Sequence, residues 1–202
     1  MTSSNHTKLD LVEILQQFSK QYVKKHQDTF FHPPKVEQDA QWASPCENTY
    51  SDVLSEYKRL SPGETYWRPV DIKKEDELNF DNVETALEIT LHPDIKTYFT
   101  TMFSENLDAT CEEGNLSLLF AWNKDDFQRL QENLIGHILM KQRLKQAETV
   151  FVAVTDEEDM IISVENGTGT VWVERVGCKP HKKLADSLAE FINILTPIMP
   201  LS

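Results

Sequence analysis

The chain has few cysteines, few glycines and no long apolar run, and each shortage excludes a class of protein. The three cysteines are widely spaced without a C-x-x-C pair, which predicts reduced thiols and excludes a disulfide framework or a structural zinc site. The six glycines form no phosphate-binding loop. No apolar run approaches the ~18 residues of a membrane span, and the start of the chain lacks the apolar region of a signal peptide.

Basic residues are also scarce, with 20 Lys and Arg against 33 Asp and Glu, for a net charge of −13. Nucleic-acid binding depends on cations that neutralise phosphates, so this balance argues against a nucleic-acid partner and against adsorption to anionic lipid. It favours a basic partner, or simply high solubility. The length of 202 residues predicts one domain over 1–202, in which an N-terminal helix and irregular segment, 1–65, pack on a core of 66–202.

The stretch 122–145 carries the strongest periodic signal, and it predicts a helix laid across a sheet. Its apolar residues share one helical face: Phe127, Leu130, Leu134, Ile135 and Ile138. The opposite face is polar or small: Asp125, Arg129, Glu132, Gly136 and Arg143. Asn123 is a good N-cap, and Asp126 can reach back to complete a capping box.

The other patterns predict an α+β domain, in which a mostly antiparallel sheet is packed with helices. Helices are expected over 7–26, 82–90 with Asp81 as N-cap, from Pro93 to 101, and 182–195, with a short one over 51–59 in an otherwise irregular stretch from 30 to 65. Strands are expected over 107–112, 115–122, 150–154, 160–164 and 170–174, with a hairpin turn at 166–169. The continuously apolar 150–154 is typical of a strand buried on both faces.

Several motifs in a consistent order resemble the Syd family of SecY-interacting proteins. They are Tyr66-Trp67-Arg68-Pro69, NVETALEITLHPDIKTYFTTMF from Asn82, DDFQRLQENLIGH from Asp125, ISVENGTG from Ile162 and LAEF from Leu188. The resemblance implies a fold similar to the SMI1/KNR4 (SUKH) superfamily. It also implies a cytoplasmic protein that is peripheral on the cytoplasmic side of the inner membrane, where an electronegative groove binds basic cytosolic loops of SecY.

Acidic residues are therefore the candidate protein-binding residues, and each set also has a purely structural explanation. Asp125, Asp126 and Glu132 lie in the matching segments, but the first two also suit the start of a helix. Asp156, Glu157, Glu158 and Asp159 form an uninterrupted run that could be only a solvated turn. Further carboxylates surround the hairpin that strands 107–112 and 115–122 are expected to form with a turn at 113–114; they are Glu105, Asp108, Glu112 and Glu113. His137, on the flank of the long helix, is interpreted as a structural histidine.

The sequence predicts a protein that is not an enzyme, with no catalytic residue, cofactor or metal site. The role that the resemblance implies is to regulate SecY, or to remove SecY that is in excess or improperly assembled. Two alternatives stay open: a metal-dependent hydrolase that uses the acidic clusters, and an immunity-type protein that masks a basic toxin. The oligomeric state is left open as well.

Overall fold

Helices flank a large antiparallel sheet in the computed structural model, which describes residues 10–47 and 60–199. The helices within these ranges are α1 Leu11–Phe30, α2 Asp81–Leu87, α3 Pro93–Thr101, α4 Lys124–Arg143 and α5 Leu188–Ile194. Short strands precede and follow the first helices: β1 Lys35–Glu37, β2 Glu64–Tyr66, β3 Val70–Asp71 and β4 Met102–Phe103. The longer strands are β5 Leu107–Cys111, β6 Gly114–Leu118, β7 Thr149–Thr155, β8 Met160–Glu165 and β9 Val171–Arg175, followed by β10 Lys182–Ala185 and β11 Thr196–Pro197.

Seven strands form the main sheet in the order β10-β9-β8-β7-β6-β5-β11, and every neighbouring pair is antiparallel. Two smaller two-stranded sheets, β1-β2 and β3-β4, lie outside it. The expected α+β class with a mostly antiparallel sheet is therefore confirmed. The turn 166–169 joins β8 to β9 as expected, and Gly169 takes the left-handed conformation there with φ of 76°.

The sheet is strongly curled, as an ion pair between two distant strands shows. Lys182 on the edge strand β10 contacts the carboxylate of Glu113 in the turn between β5 and β6. In the order of the sheet, β9, β8 and β7 separate β10 from β6. At about 4.8 Å per strand, a flat sheet would hold them about 19 Å apart. The contact therefore requires the sheet to bend toward one face.

Both faces of the curled sheet are covered, and the apolar residues form one continuous core. Helix α4 lies on one face, where its His137 ring meets the ring of Phe151 on β7 at 5.5 Å between centroids. The opposite face contributes fully buried Val150 and Val164 to the cluster that includes Tyr98 of α3 and Phe191 of α5. The prediction that α4 lies across a sheet with one face buried is confirmed.

Several predicted elements are displaced from where the sequence indicated. Helix α1 ends at Phe30, one turn later than expected, and the predicted helix over 51–59 lies outside the described residues. Phe80 rather than Asp81 is the N-cap residue of α2. The Glu84 carboxylate accepts hydrogen bonds from the Leu91 backbone and from Lys96 instead of closing a capping box. Val154 at the end of β7 is 40% exposed, so that strand is buried on both faces only in part.

The C-terminal helix is the clearest correction. The periodicity predicted a helix over 182–195, but residues 182–185 pair with β9 as an edge strand. The helix α5 begins only at Leu188, where the Ser187 side chain accepts a hydrogen bond from the Glu190 backbone. Backbone pairing along the sheet edge therefore prevails over the local helical pattern.

A buried charge pair fixes α4 on the sheet. Lys141 of α4 and Glu174 of β9 have no exposed side-chain area, and the ammonium nitrogen lies 3.3 Å from the carboxylate. The ammonium also donates to the Cys178 carbonyl at 2.8 Å, and the Thr149 hydroxyl donates to the same carboxylate at 3.0 Å. Every charge in this cluster thus has a partner, which is the condition under which buried charges are tolerated.

Replacing Lys141 with methionine should destabilise the fold by about 3–5 kcal/mol, because Glu174 would keep a buried charge without its cationic partner. Urea denaturation measures the loss. The double variant Lys141→Met with Glu174→Gln should recover at least half of it, since no buried charge remains. Arg143→Met removes an exposed charge two residues away and is the control, expected to change stability by no more than about 0.5 kcal/mol. A Lys141→Met variant as stable as this control would contradict the assignment.

Candidate functional site

The exposed face of α4 begins at a tightly fixed N-terminus. The Asn123 side chain accepts a hydrogen bond from the Asp126 backbone at 2.8 Å, which confirms the predicted N-cap. Asp126 reaches back one residue further than a capping box requires, to the Trp122 backbone at 2.9 Å. Trp122 and Trp67 are buried in the core, where their rings pack edge to face. Asp126 is therefore largely occupied with holding this helix start.

Asp125 and Glu132 are exposed on α4, as the helical face predicted. Glu132 also lines a cavity of about 360 Å³ between α4 and the segment that leads into α2, next to Asn82 and Gln131. The half-buried Glu105 lies close enough for the Asp126 carboxylate to act on it: burial is the main cause that raises the pKa of Glu105, and Asp126 raises it further. Carboxylates therefore gather around the start of α4.

The four consecutive carboxylates occupy the turn between β7 and β8. Asp156, Glu157, Glu158 and Asp159 are all exposed, and Asp159 takes a left-handed conformation with φ of 64°. Backbone bonds within the turn, such as Met160 N to the Glu157 carbonyl at 3.2 Å, hold it in shape. The charges therefore project from an ordered turn.

Two of these carboxylates line a cavity of about 180 Å³ on the inner side of the curl, here called the sheet recess. Asp156 and Glu157 stand at its rim with Glu113 from the neighbouring turn. Its apolar lining includes Leu116, Met160, Ile162, Val173 and Leu184. The recess thus combines an apolar lining with carboxylates at its rim.

The predicted site residues fall on two surfaces instead of one. Asp125 and Asp126 follow the C-terminal end of β6, whereas the turn 156–159 follows β7, whose last residue Thr155 pairs with Leu116 near the start of β6. The two sets therefore lie at opposite ends of strand β6. Sequence reasoning missed that the curl brings Glu113 and Lys182 together with the 156–159 turn, because the residues come from three separate hairpin segments.

His137 is a buried structural histidine, as predicted, but its carboxylate neighbour was missed. Its Nε2 lies 3.1 Å from the Thr149 hydroxyl and 3.5 Å from Glu174, while Glu132 is on the exposed side of the helix. Because the single Thr149 proton goes to Glu174, the histidine must be the donor to Thr149. Burial, assisted by the nearby Lys141 charge, lowers the pKa of His137 to about 4. The ring is therefore neutral at physiological pH.

The part of the chain that is described holds neither a cluster of metal-ligating side chains nor a helix of membrane-spanning character. Across residues 10–47 and 60–199, no three His, Cys, Asp or Glu side chains are grouped to hold a metal ion. In the same ranges, no helix combines the length and apolar character needed to cross a membrane. None of the three cysteines forms a disulfide. Burial raises the pKa of the Cys46 thiol, which donates to the Phe103 carbonyl, to about 12.

The curled antiparallel sheet, its flanking helices and the two acidic surfaces define an α+β protein whose exposed carboxylates are concentrated in two places. Comparison with known sequences is more specific. The family model described as Syd protein (SUKH-2) matches residues 12–197. Protein Syd of Colwellia psychrerythraea is 60% identical over 196 residues, which cover 97% of this chain and 96% of that protein.

Two further relatives are similar over most of their length. Protein Syd of Pseudoalteromonas atlantica is 40% identical over 197 residues, 98% of each chain. Protein Syd of Alteromonas mediterranea is 48% identical over 164 residues, 81% of this chain and 85% of that protein. The chain therefore belongs to the Syd family.

The buried neutral His137 predicts a pH dependence of stability. Its pKa is about 4 when folded and near 6.5 when unfolded, so between these values the unfolded chain binds more protons and stability falls as pH falls. From pH 7.5 to pH 5 the loss due to this residue should be about 2 kcal/mol.

The test compares urea denaturation of the wild type and His137→Gln at both pH values. The glutamine amide can donate to Thr149 but does not titrate, so the variant should lose about 2 kcal/mol less over this interval. His181→Gln, which alters an exposed ring, is the control and should keep the dependence of the wild type. Identical pH dependence in wild type and His137→Gln would refute this assignment.

Proposed function

We propose that this protein binds SecY, the channel subunit of the protein-export translocase, at the cytoplasmic face of the inner membrane. Membership of the Syd family supports this role. The observation that carries the proposal in this chain is the sheet recess, a concavity whose rim bears Glu113, Asp156 and Glu157. Basic loops of SecY would place their cations at this rim. Glu158 and Asp159 extend the same negative surface.

The α4 surface is the second contact that we propose. Asp125 and Glu132 are exposed there and free of a structural role in the helix cap, whereas Asp126 holds Trp122. Exposed charges act over a Debye length of about 8 Å at physiological ionic strength. The two surfaces would therefore attract separate basic segments, and raising salt should weaken binding mainly by slowing association.

The proposed role is a binding role without catalysis: the protein would regulate SecY, or remove SecY that is in excess or improperly assembled. A metal-dependent hydrolase that uses the acidic residues is the alternative of a different class. Calorimetric titration with Mg²⁺, Mn²⁺ and Zn²⁺ separates them, because only the hydrolase would bind a metal stoichiometrically. An immunity-type protein would bind a basic toxin in place of SecY.

Charge reversal at the recess should weaken SecY binding more than reversal elsewhere. Exposed ion pairs contribute only about 0.2–1 kcal/mol each, so neutralising a single carboxylate should change the affinity for SecY very little. Asp156→Lys with Glu157→Lys converts two attractions into two repulsions and should cost about 1–4 kcal/mol of binding free energy. The measurement is affinity for solubilised SecY, with circular dichroism confirming the fold.

Two variants with the same change in net charge are the controls. Asp125→Lys with Glu132→Lys tests the α4 surface and should have the smaller effect. Glu13→Lys with Asp28→Lys alters exposed residues of α1, and should affect binding least. Equal losses in all three variants would show an effect of net charge alone, and unchanged affinity of the recess variant would show that the recess is not the site.

Membrane association should require SecY and not lipid, since a chain of net charge −13 is repelled by anionic headgroups. At physiological salt the purified protein should stay in the supernatant with anionic liposomes and should sediment with the same liposomes once they carry SecY. Strong sedimentation with the bare liposomes would contradict this.

A further inference from the structure

The rim of the sheet recess already holds a cation of the protein's own. Lys182 lies on the inner face of edge strand β10, in the row that pairs it with Val173 and then Ile162 across the sheet. Its ammonium contacts the Glu113 carboxylate, which belongs to the turn on the far side of the recess. This ion pair thus bridges the opening that the partner would have to use.

The recess suits a side chain with an aliphatic stem and a cationic end. Leu116, Ile162 and Val173 offer apolar contact below, and Glu113 and Asp156 offer carboxylates above. Lysine and arginine carry this combination, since their methylene stems pack on apolar surface while the charged group stays near water. Lys182 lines the recess in the same way from within the chain.

We propose that Lys182 pairs with the Glu113 carboxylate in the free protein, and that a lysine or arginine side chain of the partner replaces it in the complex. Lys182 is then an intramolecular competitor that sets how strongly the recess accepts a basic segment. The inference rests on the proposed function only in that the partner is basic.

Replacing Lys182 by a side chain of the partner costs little free energy, because the Lys182–Glu113 pair is exposed to solvent. The Lys182 and Glu113 side chains keep 52% and 36% of their area in contact with solvent. A pair this exposed contributes little, and the released ammonium is hydrated again while Glu113 gains a new partner. Only a basic side chain regains this ion pair, so the competition also selects against neutral segments.

Lys183 provides a matched control on the next residue. It points to the opposite face of β10, opposite Trp172 in the register, and pairs with Asp186 instead of Glu113. Lys182→Gln and Lys183→Gln therefore remove the same charge from the same strand, but only the first removes the competitor.

The test titrates wild type and variants with an acetylated, amidated Gly-Arg-Gly-Arg-Gly peptide, followed by methyl NMR signals of Leu116, Met160 and Ile162. These signals should shift in the wild type, and Lys182→Gln should bind up to about fivefold more tightly, the upper limit for an exposed pair. Lys183→Gln should bind like the wild type and Glu113→Gln more weakly. The same peptide with citrulline in place of arginine should not shift these signals.

Equal affinity of the two lysine variants, absence of peptide binding, or equal shifts with the citrulline peptide would overturn the proposal. SecY affinity of the same variants separates this result from the proposed function. If wild type binds SecY while both lysine variants bind the peptide and SecY equally, the competition fails and the function stands. If SecY is not bound at all, the peptide titration still decides the competition.

Discussion

One positive and one negative charge lie fully buried between helix α4 and the sheet, and the orientation of the helix depends on them. If α4 rotated or slid by one turn, Lys141 would leave the buried Glu174 carboxylate without its cationic partner. Such a separation costs about 3–5 kcal/mol, because it leaves a buried charge uncompensated. The pair therefore fixes which face of α4 is solvent-exposed, and with it the positions of Asp125 and Glu132.

The curl of the sheet is the second constraint, and it brings together charged residues that are far apart in the sequence. Antiparallel strands place successive turns at alternating ends, so the turns at 112–113 and 156–159 share one end while the start of α4 lies at the other. Curling then brings Lys182 of the edge strand to the same opening. A protein of net charge −13 thereby presents two distinct acidic surfaces, one of them concave, which is the geometry that supports binding of a basic partner.

Local signals allowed much of the fold to be predicted. The apolar period of α4 and its Asn123 cap depend only on neighbouring residues, and both are confirmed. The pairing of Lys141 with Glu174 could not be predicted in this way, because the partners are 33 residues apart and charged residues are normally exposed. Residues 182–185 were mistaken for helix because pairing with β9, which no local pattern encodes, determines their conformation. The acidic candidate residues could be predicted from the family resemblance and from the consecutive carboxylates at 156–159. Their separation into two surfaces could not, because it depends on the register of the strands.

We propose that a basic segment of SecY docks at the sheet recess. Amide hydrogen–deuterium exchange of the free protein and of its complex with SecY tests this directly, because it locates the contact without altering any residue. Docking at the recess should slow exchange in the turns 112–115 and 156–160 and in residues 181–184, with little change along α1. Protection confined to α1, with those turns exchanging at their free rates, would contradict it.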